Sequence, residues 1–302
     1  MATVAILVNP ARADARKLIA DTVPWLEARG HRARVLELST ADRAAGQVPA
    51  GDLDGADLSD SDLAVSVGGD GTFLRLVPMA YAAGIPVLGV NFGRLGYLLE
   101  VEPNGFHEAL EAALGKGAGI EERTVLTVRV AGELARAEGD DRSLTDEQGN
   151  GWWVALNEVV AEKAVPGHMV HLSTTIDDEP FLAYKADGVL VATPTGSTAY
   201  NLSAGGPLVA TRLRAMVLTP VAPHLTFDRS LVLSSEQVVT VGVRGGRPAV
   251  LVVDGREVGR LSPGAEVTCR VAPEPLRMVS LGKRGFADLL RRTVAPDRGG
   301  WA

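Results

Sequence analysis

The chain lacks the features that would tie it to a membrane, to nucleic acid or to an oxidising compartment. Cys269 is the only cysteine among 302 residues, which excludes an intramolecular disulfide and a cysteine-rich metal site and fits a reducing compartment. The net charge of -7 offers no overall attraction to nucleic acid. No apolar run approaches the roughly 18 to 20 residues that span a bilayer. We therefore expect a cytoplasmic protein without a nucleic-acid or membrane partner.

Three common motifs of nucleotide binding and nucleophilic catalysis are also missing. Neither the GxxxxGK[ST] sequence of a P-loop nor the GxGxxG sequence of a dinucleotide fold occurs. Ser197 does not lie in a GxSxG nucleophile motif, because Gly196 directly precedes it and Ala199 lies two places after it. Any phosphate must therefore be bound locally by another design.

The first 120 residues alternate between short apolar runs and segments with helical spacing. Gly30 is a natural stop for the first helical segment, and Pro24 is expected to bend or interrupt it. Strand, helix, strand is typical of an α/β unit, so residues 1–120 are predicted to form a Rossmann-like domain with a parallel sheet. The strand-like runs cover 4–8, 34–38, 63–67 and 86–90, and the helical ones cover 13–29, 72–83 and roughly 105–114.

Helical spacing nearly disappears beyond residue 120, where short β-branched runs alternate with turn residues. This pattern predicts a β-rich domain over residues 121–275. Residues 276–302 are predicted to return to the first domain, with Phe286, Leu289 and Leu290 on a helix. Residues 131–151, rich in Glu, Asp and Gly, resemble a mobile hairpin loop. The strand-like runs cover 125–130, 152–160, 169–176, 188–192, 215–218, 238–243, 249–253 and 267–271.

The first segment that indicates chemistry is LAVSVGGDGTFL, residues 63–74. A strand-like run leads into the GGDG tetrapeptide, and Thr72 is predicted to begin a helix. Glycines allow the backbone to approach a phosphate closely, and a helix N-terminus offers N–H groups and the positive end of a dipole. The pattern predicts an anion-binding loop in which the phosphate donor contacts Gly68, Gly69, Gly71 and Thr72.

Asp70 would be repelled by a bare polyphosphate, so its carboxylate needs another role. It could take a proton from an attacking hydroxyl, hold that hydroxyl, or work through a metal ion. A tight turn in which Asp70 caps a helix is the alternative.

The second such segment is KADGVLVATPTGSTAYNLSAGGPLV, residues 185–209. A strand ends in a run of small hydroxyl residues, which could present side-chain and backbone donors to a phosphate or a ribose. The alternative is a capped helix that stops at Gly205-Gly206-Pro207.

Five segments together resemble the bacterial NAD kinase (ATP-NAD kinase) family, in order and in approximate spacing. The GGDG loop alone is similar to those of diacylglycerol-type lipid kinases and phosphofructokinases, whereas the TPTGSTAY and NFGRLGYL segments in combination are specific. The matching segments are GGDGTFL at 68–74, GVNFGRLGYLLE at 89–100, LNEVV at 156–160, ADGVLVATPTGSTAYNLSAGGPLV at 186–209 and LTPVAPH at 218–224.

The resemblance implies a role for each matching residue. Asp70 would be the catalytic proton acceptor and would contact NAD together with Gly71 and Arg75. Asn157 and Glu158 would hold the adenosine end, since an amide and a carboxylate can bind a base edge or a pair of ribose hydroxyls. The remaining NAD contacts implied are Asp187, Thr198, Ala199, Tyr200, Asn201, Leu202 and Ser203, with His168, Lys185 and Arg256.

The resemblance also implies the reaction and the partners. The terminal phosphoryl group of ATP, or of another donor such as polyphosphate, would pass to the adenosine 2′-hydroxyl of NAD near Asp70, with Mg²⁺ as the divalent metal. The β-rich domain would bind NAD and mediate assembly into a homodimer or homotetramer. Two alternatives remain at this point: a lipid or small-alcohol kinase that shares the GGDG loop, and a non-catalytic dinucleotide sensor.

Three further features are more simply structural. His168 and His171 resemble a metal pair, but a separation of three along a strand puts them on opposite faces. Asp254-Gly255 is a strong hairpin signal that a turn alone explains; Arg256, which follows it, departs from the uncharged residue expected there in the family. Trp152-Trp153 is expected to pack in the interior.

Overall fold

The chain divides into two compact units, which are described separately. One comprises Met1–Glu122 and the segment that begins at Leu276, and the other comprises Arg123–Pro275. The computed structural model describes residues 1–9, 11–37, 57–92, 98–115, 117–137, 143–146, 151–224 and 227–282. The predicted C-terminal helix with Phe286, Leu289 and Leu290 lies outside these residues. None of the helices within the described ranges has the length and hydrophobicity that crossing a bilayer requires.

The secondary-structure elements are numbered in chain order. The first unit contains β1 (Thr3–Val8), α1 (Ala13–Glu27), β2 (Arg32–Glu37), β3 (Leu63–Gly68), α2 (Asp70–Ala83), β4 (Val87–Asn91), α3 (Phe106–Leu114) and β5 (Gly119–Arg123). The second unit contains β6 (Leu126–Ala131), β7 (Leu134–Arg136), β8 (Leu144–Thr145), β9 (Gly151–Ala155), β10 (Glu158–Lys163), β11 (Val170–Ile176), β12 (Glu179–Ala186), β13 (Gly188–Ala192), α4 (Tyr200–Ser203), β14 (Ala215–Val221), β15 (Leu231–Ser234), β16 (Val238–Arg244), β17 (Ala249–Val253), β18 (Arg256–Leu261) and β19 (Glu266–Val271). The chain then returns to the first unit through β20 (Leu276–Ser280).

The first unit is built on a six-stranded sheet in the order β2-β1-β3-β4-β20-β5. Strand β1 pairs in parallel with β2 on one side and with β3 on the other, and β3 pairs in parallel with β4. Strand β20 is also parallel to β4, so the segment after residue 275 completes the sheet. The prediction of a Rossmann-like α/β domain with a returning C-terminal segment is confirmed.

Helices cover both faces of this sheet. Val4, Ile6 and Val8 of β1 form one hydrophobic cluster with residues of α1 and α3. Helix α2 lies on the other face, because a Cβ atom added at Gly89 of β4 would come within 3.1 Å of its Phe73 ring. Buried strands flanked by helices on both sides are near-continuously apolar, which explains why the strand-like runs were readable from the sequence.

Two expectations about helices of this unit were wrong. The interruption expected at Pro24 is absent, because α1 continues through Pro24 to Glu27. Helix α2 begins at Asp70 rather than at Thr72, with Gly69 as its N-terminal flanking residue. The glycines on either side of Asp70 therefore belong to the helix start itself.

The second unit is a sandwich of two seven-stranded antiparallel sheets. One sheet has the order β15-β14-β13-β10-β17-β18-β7, and the other has the order β12-β11-β16-β19-β6-β9-β8. A single hydrophobic cluster contains residues of both sheets, including Leu126, Trp153, Val159, Leu172 and Leu251. The two inner faces thus share one core, and the prediction of a β-rich domain is confirmed. Trp153 is buried in it, as expected.

The apolar run at 152–160 is not one strand, as the sequence suggested, but two. Strand β9 belongs to one sheet and β10 to the other, and the chain crosses between the sheets at Leu156 and Asn157. Residues 131–151, expected to form a mobile hairpin loop, contain two short strands, β7 and β8, which belong to different sheets and do not pair with each other. Residues 138–142 and 147–150 of that segment lie outside the described residues.

Candidate active site

The GGDG loop lies at the edge of the parallel sheet where the strands have their carboxyl ends. Gly68 is the last residue of β3, and Asp70 is the first residue of α2. The chain passes from β1 to β2 on one side of β1, and the next strand, β3, lies on the other side of β1. The direction of winding therefore reverses between β1 and β3. Ligands of open α/β sheets bind beyond the carboxyl ends of the strands at such a reversal.

The glycines of this loop have different physical roles. A Cβ atom on Gly68 would lie 2.4 Å from Oγ1 and 2.8 Å from Cβ of Thr72, so this glycine allows the helix to pack closely on the strand. Added Cβ atoms on Gly69 and Gly71 would meet nothing within 4 Å. The open space beside Gly69 and Gly71 leaves room for a phosphate next to the first N–H groups of α2.

Asp70 is half-buried at the first position of α2, between these two glycines. The other predicted residues on the helix are more deeply buried. Thr72 is 5% exposed and packs against Gly68, and its N–H donates to Gly69 O. Arg75 is 6% exposed within the buried part of α2. Thr72 therefore has a packing role in the loop, and a contact between Arg75 and NAD stays a prediction.

Arg12 is a residue at this edge that the sequence analysis did not single out. It follows β1, and its guanidinium donates to the backbone carbonyl of Phe92, which follows β4. The same group lies 5.7 Å from the centre of the Phe92 ring and 3.6 Å from a carboxylate oxygen of Asp14. Its position directly after the first strand of an α/β unit is the signal that could have identified it.

The site residues of the second unit lie where three neighbouring strands of one sheet begin or end. Glu158, the first residue of β10, is opposite Ala192, the last residue of β13. The next residue of β10, Val159, is opposite Val253, the last residue of β17. The TPTGSTAY segment after β13 and the Asp-Gly turn after β17 are therefore brought to the two sides of Asn157 and Glu158.

Every backbone N–H and C=O group of residues 156–158 is hydrogen-bonded to Asp254 or to Thr193. The carboxylate of Asp254 accepts from the N–H groups of Leu156 at 2.9 Å, Asn157 at 2.7 Å and Glu158 at 3.2 Å. Thr193 donates its hydroxyl to Leu156 O and its N–H to Asn157 O, while the N–H of Asp254 donates to Glu158 O. All six backbone polar groups of the segment thus have partners.

Glu158 is a buried carboxyl group with an altered acidity. It is 5% exposed, and its Oε2 atom has no hydrogen-bond partner among the described residues. Burial first, and the Asp254 carboxylate second, raise the pKa of Glu158 from 4.5 to about 8, against the opposing effect of a hydrogen bond from the N–H of Tyr200. The group is therefore mostly protonated at neutral pH and can donate a hydrogen bond as well as accept one.

The hydroxyl groups of the TPTGSTAY segment are used inside the protein, contrary to expectation. Thr193, Thr195 and Ser197 are all at most 4% exposed. Ser197 donates to the carbonyl of Pro194 and accepts from the N–H of Val209, so its buried hydroxyl is bonded to the protein's own backbone.

The capped-helix alternative is right at its C-terminal end, where Gly205 has φ 83° and the N–H of Gly206 donates to Asn201 O. The helix itself is short, a 3₁₀ turn at Gly196–Thr198 followed by the four-residue α4, and it begins without a side-chain cap.

The predicted NAD contacts at 198–203 differ in exposure. Tyr200 is 37% exposed and Ser203 is exposed, whereas Asn201 is completely buried. The amide of Asn201 donates to the carbonyls of Ser197 and Pro207 and accepts from the hydroxyl of Thr219. Asn201 therefore holds the loop together, and the contacts of this loop with NAD stay predictions.

Asp187 and Tyr200 belong to a charged group beside Glu158. The carboxylate of Asp187, in the connection between β12 and β13, lies 2.7 Å from Nζ of Lys163. Burial, followed by the negative charges of Glu162 and Asp187, raises the pKa of the Tyr200 hydroxyl. The Tyr200 side chain thus lies in an environment with more carboxylates than cations.

The three other predicted contacts lie on separate elements. His168 is exposed in the turn before β11, Lys185 is exposed on β12, and Arg256 is half-buried at the start of β18. The expectation that His168 and His171 occupy one strand was wrong, because β11 begins at Val170. Within the described ranges, no group of three or more His, Cys, Asp and Glu side chains is arranged to hold a metal ion.

Known proteins match both units of the chain. The model of the ATP-NAD kinase N-terminal domain matches residues 4–118, and that of the ATP-NAD kinase C-terminal domain matches residues 156–281. The chain belongs to the NAD kinase family. An NAD kinase of Chloroflexus aggregans is 39% identical over 278 residues, which cover 92% of each chain.

Solved structures with the NAD kinase fold agree with this assignment. An NAD kinase from Archaeoglobus fulgidus in complex with ATP has a TM-score of 0.68 and 26% identity, covering 95% of this chain and 98% of that chain. A yeast NADH kinase complexed with NADH has a TM-score of 0.76 and 23% identity, covering 100% of this chain and 89% of that chain. The latter likeness concerns the fold alone.

The residues that hold the backbone of Asn157 and Glu158 could not be recognised from the sequence. Asp254 was assigned to a turn alone, and Thr193 was read as a possible ligand donor. Gly196 was not singled out, although a Cβ atom there would lie 2.0 Å from Asn157 O. The sequence shows the Asp-Gly pair and the run of small residues, but it does not show that both lie beside residue 157 in the folded chain.

Gly196→Ala should destabilise the protein, because backbone atoms of Asn157 cannot move away without losing the bond from Thr193. Overpacking of this kind costs about 1–3 kcal/mol, which would appear as a lower midpoint in thermal or urea unfolding. Gly246→Ala is the matched control, since a Cβ atom there meets nothing within 4 Å. Equal midpoints for the two variants would contradict the close approach.

Glu158→Gln should flatten the dependence of stability on pH. In the folded protein the pKa of Glu158 is raised from 4.5 to about 8. The contribution of Glu158 to the free energy of unfolding is therefore complete below the pKa of the unfolded state, and it is lost as pH rises through the pKa of the folded state. Between about pH 5 and pH 9, the wild type should lose about 1–3 kcal/mol of unfolding free energy that the variant keeps. Urea unfolding at both pH values measures this, with the exposed Glu179→Gln as control; the same loss in all three proteins would refute it.

Proposed function

We propose that this NAD kinase transfers the terminal phosphoryl group of ATP to the 2′-hydroxyl of the adenosine ribose of NAD, forming NADP in the cytoplasm. The observation that carries the proposal is Asp70 at the start of α2, flanked by two glycines that face open space at the winding reversal of a parallel sheet. The matched domain models of both units and the relatives named NAD kinase support the same reaction.

The GGDG loop is suited to binding the phosphates of the donor. Gly69 and Gly71 leave the backbone open, and they lie at the start of α2, where the first N–H groups of a helix have no acceptor in the preceding turn. Because the chain carries a net charge of -7, backbone N–H groups and the helix dipole supply attraction that the overall charge does not. We assign the donor phosphates to this loop.

Asp70 is the proton acceptor in this proposal. Phosphoryl transfer usually passes through a loose transition state, so positioning and charge neutralisation dominate and the base adds less than a formal mechanism suggests. An ordinary aspartate, with a pKa near ~3.9, is a weak base at neutral pH. The principal task of Asp70 is therefore to orient the attacking 2′-hydroxyl and to receive its proton as the new bond forms.

Mg²⁺ fits this donor set when it is carried mainly by the phosphates. The GGDG segment offers one carboxylate, that of Asp70, and Mg²⁺ is commonly bound by one or two carboxylates together with substrate phosphates. When bound, the ion would neutralise charge on the transferring phosphate.

The second unit supplies the recognition of the dinucleotide. Asn157 offers an amide, and Glu158 offers a protonated carboxyl group with one oxygen unpartnered among the described residues. Together they can pair with a base edge or with ribose hydroxyls. Further contacts are assigned to Gly71, Arg75, His168, Lys185, Asp187, Thr198, Ala199, Tyr200, Asn201, Leu202, Ser203 and Arg256. A homodimer or homotetramer is part of the proposal and can be checked by light scattering on the purified protein.

Asp70→Asn should lower turnover and leave NAD binding intact. A positioned proton acceptor contributes typically ~10²–10⁴-fold, so kcat for NADP formation should fall by about that factor while the Kd for NAD changes little. A coupled assay for NADP and isothermal calorimetry with NAD measure the two quantities. The exposed Asp60→Asn is the matched control and should behave as wild type; near-normal turnover of Asp70→Asn would remove Asp70 from the mechanism.

The same assay separates the proposal from its two rivals. Wild-type protein is incubated with Mg-ATP and either NAD or diacylglycerol, and the donor is then changed to other triphosphates and polyphosphate. NADP formation supports the proposal, and phosphorylation of diacylglycerol alone would assign a lipid kinase. NAD binding without NADP formation under any donor or metal would assign a dinucleotide sensor.

A further inference from the structure

The connection at residues 156–158 presents a problem of backbone geometry. The chain leaves β9 in one sheet and enters β10 in the other, so its N–H and C=O groups cannot all be paired by strand neighbours there. Buried backbone groups without partners are costly, and native structures provide partners for nearly all of them. In this protein the partners of all three N–H groups come from one side chain, that of Asp254.

The turn that contains Asp254 does not require an aspartate. Asp254 has φ 48° and Gly255 has φ 73°, which is the pattern of a two-residue hairpin turn with both central residues in the left-handed region. Asparagine and glycine adopt that region at least as readily as aspartate does. The carboxylate must therefore be explained by its bonds and not by the turn.

The burial of Asp254 also has a cost that the turn does not offset. The residue is 8% exposed, and it lies close enough to Glu158 to raise the pKa of that group. A buried carboxylate is tolerated when several hydrogen bonds satisfy it, and a neutral residue would avoid the repulsion altogether. The hydrogen bonds of the Asp254 carboxylate hold the backbone of residues 157 and 158 in place.

We propose that Asp254 is a positioning residue for dinucleotide binding: its carboxylate fixes the backbone of residues 156–158 and thereby orients the side chains of Asn157 and Glu158 toward NAD. This inference rests on the proposed function, in which those two side chains contact the substrate. Thr193 restrains the carbonyl side of the segment, and Asp254 restrains the N–H side.

Two substitutions distinguish this role from that of a turn residue. Asp254→Gly keeps the positive φ and removes all three acceptor contacts, whereas Asp254→Asn keeps the positive φ and one acceptor oxygen. Asp178→Gly is the matched control, because Asp178 is an exposed aspartate with φ 64° in the turn between β11 and β12. The measurements are the Kd for NAD by calorimetry, KM and kcat with NAD and ATP varied separately, and the midpoint of thermal unfolding.

We expect Asp254→Gly to raise the Kd and KM for NAD about tenfold or more, as the loss of charge-assisted hydrogen bonds predicts, with KM for ATP unchanged. The Kd and KM of Asp254→Asn for NAD should lie between those of wild type and Asp254→Gly. If Asp254→Gly does not fold, the values for Asp254→Asn provide the test. Asp178→Gly should match wild type in every measurement. A lower unfolding midpoint without a change in NAD affinity would overturn the inference.

A mutant cycle tests whether Asp254 acts through Asn157 and Glu158. In a background that carries both Asn157→Ala and Glu158→Ala, the effect of Asp254→Gly on NAD affinity should shrink to about threefold or less, because coupled residues are not additive. An undiminished effect in that background would mean that Asp254 acts through neither residue and would refute the inference. Wild-type protein that neither binds NAD nor forms NADP refutes the proposed function instead.

Discussion

The carboxylate of Asp254 and the three backbone N–H groups that it accepts form the interaction on which the candidate site of the second unit depends. This interaction fixes the chain where it passes from one sheet to the other. Thr193 completes the arrangement from the opposite side, and Gly196 can approach the carbonyl of Asn157 only because it has no Cβ atom. The loop around Ser197 and Asn201 is then stabilised by its own buried hydrogen bonds.

The candidate site residues of the two units are positioned by different physical means. In the first unit, a parallel sheet brings loops together at the carboxyl ends of its strands, and the N-terminus of α2 provides backbone N–H groups there. In the second unit, antiparallel strand ends place Asn157 and Glu158 between two loops. Burial then keeps the carboxyl group of Glu158 largely protonated near neutral pH, which extends its hydrogen-bonding capacity.

Much of the fold could be predicted because hydrophobic periodicity is a local property. The buried strands β1 and β3 and the boundaries of β13 and β17 follow from apolar runs and the turn residues beside them. The division of the 152–160 run was missed, because the residues on both sides of the crossing are mainly apolar and a single asparagine, Asn157, is its only turn residue. Hydroxyl groups such as that of Ser197 were misread for a similar reason: the sequence does not show whether a donor faces solvent or its own backbone.

The sequence by itself determined the fold class, the family and the position of Asp70 between two glycines after a buried strand, since alternating periods and ordered motifs lie in consecutive residues. Only the tertiary structure decided that Asp254 holds the backbone of Asn157 and Glu158, and that Thr193 bonds to the backbone of Leu156 and Asn157. Residues 157 and 254 are far apart in the chain, and their hydrogen bonds exist only because strand pairing places β17 beside β10. Local patterns carry no record of such a register, so distances of this kind had to come from the folded chain.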